Sequence, residues 1–155
     1  MKLLAYEVDK RSFLGVLNED ETWVYPVSAA GMEYRSMKDL IREAGPSEME
    51  MLDYISKKMP GDVTGAASVE EIKVVSPIAE PDQDIICLGI NYMDHAKESA
   101  RFKKEEFSKP EKAIYFSKRV NRTNDPDGII PAHKNLTNQL DYEAELAVII
   151  KKDAK

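Results

Sequence analysis

Leu140 to Ile150 reads L-D-Y-E-A-E-L-A-V-I-I, which sets Asp141, Glu143 and Glu145 into an otherwise apolar run. On a strand, residues two apart share a face, so the three acids point one way. Tyr142, Ala144, Leu146, Val148 and Ile150 point the other way. The acid-bearing face continues through Ala147 and Ile149, so it too turns apolar. A carboxylate buried on such a face needs a strong partner. A divalent cation is the economical one, because carboxylate oxygens suit Mg²⁺, Mn²⁺ or Ca²⁺. The competing account is an exposed edge strand with a solvated acidic face. His95 and Glu98 form a second pair. Three residues apart on a helix, they face the same way. A carboxylate beside an imidazole orients it and raises its basicity, as in a general base that activates water. The same spacing also arises as an incidental surface pair. Lys118 closes an apolar strand, where its ammonium can bind a carboxylate or polarise a carbonyl. In isolation an ordinary solvated lysine is the simpler reading. His133, after Pro131, reads as a surface histidine, and Cys87, in an apolar run, as a buried inert thiol.

These residues need elements to position them. Residues 2–8 and 12–17 read as strands joined by Asp9-Lys10-Arg11, and 22–27 as a third strand after a polar turn. Ser36-Met37-Lys38-Asp39 and Ser47-Glu48-Met49-Glu50 are capping-box patterns that open two short helices. Leu52, Ile55 and Met59 line one face of the second, which Pro60-Gly61 ends. Residues 61–68 read as a loop and Val69 to Val75 as a strand. Asp84 to Ile90 is nearly continuous in apolar character, as for a buried strand. A helix over about 93–107 carries His95 and Glu98. A strand over Ala113 to Phe116 ends at Ser117-Lys118, Ile129-Ile130 reads as a short edge strand, and 140–150 is the closing strand. Proline punctuation at Pro77 and Pro81 puts a boundary between about 60 and 80. The organisation is a small N-terminal α+β module over 1–68 and a second domain over 69–155.

The chain has 155 residues, 43% apolar and 32% charged, which fits a soluble globular protein of one ordinary or two small domains. A net charge of −6 argues against a nucleic-acid partner, which needs clustered Lys and Arg. Phe102-Lys103-Lys104 and Lys118-Arg119 are too short to reverse this, but they can hold a small anionic substrate. One cysteine excludes an intrachain disulfide and fits a reducing, cytoplasmic setting. Glu7 and Asp9 follow the first residues too closely for a signal peptide, and no apolar run approaches the roughly 18 residues of a membrane span.

Together, C-L-G-I-N-Y at 87–92 running into Asp94, His95 and Glu98, Y-F-S-K at 115–118, and L-D-Y-E-A-E-L-A-V at 140–148 resemble the fumarylacetoacetate hydrolase family. The resemblance spans about residues 70–152, and the first 65 or so look like the small N-terminal module of bacterial members. It implies an α+β chain: the module, then the first part of a mixed β-roll, usually dimeric or otherwise homo-oligomeric. It implies Mg²⁺ or Mn²⁺ and a 2-oxo or β-diketo acid substrate, as in acylpyruvate hydrolases, decarboxylases and dienoate isomerases. Glu143 and Glu145 would be metal ligands, His95 and Glu98 a water-activating dyad on a lid helix, and Lys118 a pocket residue. The family's third metal carboxylate, an Asp, falls some thirty residues after the E-x-E pair, past Lys155, so the chain resembles a C-terminally truncated member. The alternative is a non-catalytic fragment or assembly module that folds by pairing with other chains.

Overall fold

The structure, a computed structural model, describes residues 1–103 and 112–153. The first strands form where expected. β1 (Leu3–Val8) and β2 (Arg11–Leu17) pair antiparallel, with Leu3 opposite Val16 and Val8 opposite Arg11. Asp9 and Lys10 make the turn with positive φ, 49° and 63°, the left-handed pair that matches strand twist in a two-residue hairpin. β3 (Trp23–Pro26) pairs with β2. β4 (Ala67–Ser68), a two-residue strand inside the expected loop, adds beyond β3. β5 (Lys73–Val75) joins β1 on the other edge, so the order is β4-β3-β2-β1-β5. Val69–Glu71, expected as strand, is a 3-10 turn whose Ser68 cap accepts from the Glu70 amide.

Two helices cover the sheet. α1 (Met37–Glu43) opens at Ser36, whose side chain accepts the Asp39 amide at 3.1 Å, as its capping pattern predicts. α2 (Pro46–Ser56) is capped two residues before the expected cap, Ser47. Gly45 is its N-cap and Pro46 takes the first helical position, where a missing N–H costs nothing. Glu48 reaches back to the Gly45 amide at 3.1 Å, and Ser47 donates its hydroxyl to the same carboxylate. Leu52 and Ile55 are buried as predicted, but Met59 is 71% exposed because the helix already ends at Ser56. The core gathers Val16, Tyr25, Val27, Met37, Leu40, Leu52 and Ile55. The Tyr25 hydroxyl donates to the Lys58 carbonyl at 2.7 Å, which satisfies the one polar atom this ring brings inside. Gly15 is required by close approach: a Cβ there would stand 2.4 Å from Val24 Cγ2.

The chain divides into two compact units, Met1–Ala79 with Asn124–Lys155, and Glu80–Thr123. In the second, β6 (Ile85–Gly89) pairs antiparallel with β7 (Ile114–Lys118), and α3 (Met93–Lys103) follows β6. Residues 104–107 of the expected helix lie outside the described residues. Contrary to expectation, β6 is not a buried strand: Ile86 is 67% exposed, and Ile85 and Leu88 are exposed too. Among the described residues β6 and β7 pair only with each other, and a two-stranded ribbon supplies no second layer to cover its faces. Cys87 is accordingly half-buried rather than buried. Residues 129–130 and 140–150 are not strands, and both stretches are exposed. Strand geometry persists only where backbone groups find a neighbouring strand, and no described strand pairs with either stretch. The architecture is α+β, a small N-terminal module followed by an antiparallel ribbon and a helix, as at the opening of a β-roll. Among the described residues, no helix is long and apolar enough to cross a membrane.

Candidate functional site

His95 and Glu98 lie on α3, one turn apart, and both are exposed. The helix is entered through Ile90, whose φ of +52° is unusual for a β-branched residue. Such outliers concentrate at sites where the chain must present a particular side chain, and the sequence offered no signal for this one. The Ala96 amide then closes the first turn on the Tyr92 carbonyl at 3.0 Å, and Ala96 is the buried residue that seats the helix. Asp94 and Lys97 form a loose i, i+3 pair at 3.8 Å, beside His95 in the same turn.

Lys118 is the last residue of β7. Register places it opposite Ile85, at the start of β6, whereas Gly89, which leads towards α3, pairs with Ile114. At about 3.4 Å per residue the ribbon runs about 14 Å between those two ends. The Lys118 ammonium stands 5.8 Å from the centre of the Phe116 ring, two residues back on the same face, in cation–π range.

Glu143 and Glu145 lie in the other unit, exposed, in a stretch without helix or strand. Asp141 is engaged locally, its Oδ1 accepting the Tyr142 amide at 2.9 Å. Among the described residues, no group of three or more His, Cys, Asp or Glu side chains stands close enough to hold a metal ion. The donor set still has the right chemistry. Two carboxylates are hard oxygen ligands, and Mg²⁺ is commonly held by one or two carboxylates while it keeps several waters. His133 is exposed, as expected, in a turn where its carbonyl accepts the amides of Leu136 and Thr137.

The sequence of residues 84–155 matches the model of the fumarylacetoacetate (FAA) hydrolase C-terminal domain. Over those residues the chain is similar to the fumarylacetoacetate hydrolase family. It is similar to oxaloacetate tautomerase YisK of Bacillus subtilis, 33% identical over 162 residues, which cover 98% of this chain and 52% of that protein. An uncharacterized protein of Staphylococcus epidermidis is 28% identical over 166 residues, all of this chain and 52% of its own length. A Staphylococcus aureus protein stands at the same identity, with 53% of its length covered. The chain thus spans about half the length of the curated relatives it matches.

Proposed function

We propose that this chain serves a divalent-metal-dependent reaction of a 2-oxo or β-diketo acid: C–C bond hydrolysis, decarboxylation or dienoate isomerisation. One observation carries the reading. The family match over 84–155 takes in all five candidate residues, His95, Glu98, Lys118, Glu143 and Glu145, each in its motif. The name of the Bacillus relative supports the substrate class, since oxaloacetate is a 2-oxo acid.

Glu143 and Glu145 are the residues to hold Mg²⁺ or Mn²⁺. A cation held by these two carboxylates would supply Lewis acidity toward the oxygens of a 2-oxo acid. Glu98 orients the His95 imidazole, which takes a proton from water or from the carbon beside the ketone. Lys118 pairs with a substrate carboxylate or polarises a carbonyl. The working protein is a cytoplasmic homodimer or larger homo-oligomer.

Calorimetric titration of metal-free protein with Mn²⁺, beside a Glu143→Gln/Glu145→Gln variant, tests the reading. Saturable one-site binding that the variant loses, with turnover of oxaloacetate or an acylpyruvate, supports it. A folded sample with neither overturns it. His95→Ala then separates the roles: turnover drops about 10²–10⁴-fold while Mn²⁺ binding stays. A second reading, an assembly module without catalysis, is favoured by the exposed apolar residues of β6, β7 and 140–150. A compact, monomeric chain that binds metal and turns over substrate would sink it.

A further inference from the structure

Asp125 divides its carboxylate between two partners far away in sequence. Its Oδ1 accepts the backbone N–H of Ser76 at 3.0 Å, and its Oδ2 meets the Lys73 ammonium at 3.3 Å. Lys73 also faces Glu7 at 3.6 Å, its register partner across β1 and β5. Glu7, Lys73 and Asp125 thus form a chain of alternating charge along the β5 edge of the module. Asp125's hydrogen bond, first, and then the Glu7 charge raise the Lys73 pKa, so the ammonium keeps its charge across the physiological range.

The turn that presents Asp125 is built in advance. The Gly128 amide donates to the Asp125 carbonyl at 3.0 Å, and Asn124 Nδ2 donates to the Ile129 carbonyl at 3.3 Å. Asp127 sits in the left-handed region at φ +59°. A Cβ on residue 128 would overlap the Asn124 amide and push it off the Ile129 carbonyl. A second contact lies at the other end of the same stretch, where Lys151 Nζ donates to the Ala44 carbonyl just past α1. Between these two points the chain makes no strand, and it carries Glu143 and Glu145.

We propose that Asp125 is a positioning residue: it docks the 124–128 turn on the β5 edge, so that the N-terminal module holds the acid-bearing stretch 126–150 from both ends. An amide bonded to a partly shielded carboxylate is worth more than an exposed ion pair, so the Ser76 contact leads and the Lys73 contact follows. The docked turn also satisfies the amide of Ser76, just past the end of an edge strand. The docking stands on its own geometry. Only its consequence for metal binding rests on the function proposed above.

Hydrogen exchange on the whole chain tests it, with Asp125→Ala, Lys73→Met and their double variant. Asp125→Ala is expected to speed exchange of the Ser76 amide and of the 124–130 amides about tenfold, with the β1–β2 amides unchanged. Lys73→Met gives a smaller local rise. At the Ser76 and 124–130 amides the double variant matches Asp125→Ala alone, because there Lys73 acts only through the Asp125 carboxylate, its Glu7 pair lying across β1 and β5. Unchanged exchange at Ser76, or an equal rise across β1 and β2, would overturn the proposal. Mn²⁺ titration of the same proteins separates the two claims. Wild type that binds no Mn²⁺ removes the metal reading and leaves the exchange result to decide the docking. Weaker Mn²⁺ binding in Asp125→Ala than in wild type joins the two.

Discussion

The β1–β2 and β6–β7 pairs are both antiparallel and both rich in apolar side chains, yet they meet different surroundings. Tyr6 and Val16 are buried; Ile86 and Tyr115 are each 67% exposed. β1 has a strand on either side and β2 has β1 and β3, and helical segments close one face through Leu40, Leu52 and Ile55. Among the described residues β6 and β7 have only each other. An apolar alternation therefore records that a side chain is meant to be covered. Whether these residues supply the cover depends on how many further elements the chain brings to that sheet.

The largest effect expected from this contrast is in the core. Leu40→Ala should cost about 2–5 kcal/mol, since Leu40 is 1% exposed and its removal leaves a cavity. Ile86→Ala or Leu146→Ala should cost less than about 0.5 kcal/mol, because water already reaches both side chains. Urea unfolding of the three variants checks the pair of claims. A cost for Ile86→Ala that rivals Leu40→Ala would break the comparison and show the ribbon covered in solution. Glycines sharpen it at the next level. Gly15→Ala drives a methyl to within 2.4 Å of Val24 and 2.8 Å of Tyr6, an overpacking worth about 1–3 kcal/mol. Gly89→Ala meets Ile114 at 3.4 Å, an ordinary contact, and should be near neutral. Ser36→Ala, which removes the cap of α1, should cost about 1 kcal/mol in the same assay.

The sequence was readable where local chemistry decides the outcome. Asp9-Lys10 in a hairpin turn, Ser36 as a cap and Leu52 with Ile55 on a buried face all depend on neighbours within a few residues. The start of α2 was misplaced because two overlapping signals compete, and Pro46 at the first position outranks Ser47 as a cap. Burial of 84–90 and pairing of 140–150 failed for a different reason: each depends on a partner strand that periodicity does not name. The β-strand reading of Glu143 and Glu145 put them on one face, whereas among the described residues their stretch has no strand partner to define a face. His95 and Glu98 were legible as an i, i+3 pair because a helix sets its own faces. The left-handed Ile90 that feeds that helix was not, since no residue preference marks it.

The smallest effect concerns Glu48, where the well-packed module meets the exposed stretch. Its carboxyl is held below the ordinary value of 4.5, first by a hydrogen bond from its own backbone amide, then by the Ser47 hydroxyl and the Gly45 amide, with the Lys151 charge adding. A group with a lowered folded pKa binds its proton more tightly in the unfolded chain, so folding is favoured while the group is ionised. That contribution is fully present above pH 4.5 and is lost as pH falls through the lower folded value. Glu48→Gln keeps the shape but removes the charge. Its destabilisation relative to wild type, read from thermal midpoints, should therefore be greatest near neutral pH and shrink steadily in acid. Lys151→Met should reproduce a minor fraction of the same pH dependence, because its charge is the last and weakest of these causes. A Glu48→Gln difference that stays constant from neutral to acid would mean that the cap works through shape alone. An effect of Lys151→Met as large as that of Glu48→Gln would mean that the stretch carrying Glu143 and Glu145 grips the module harder than its exposure suggests.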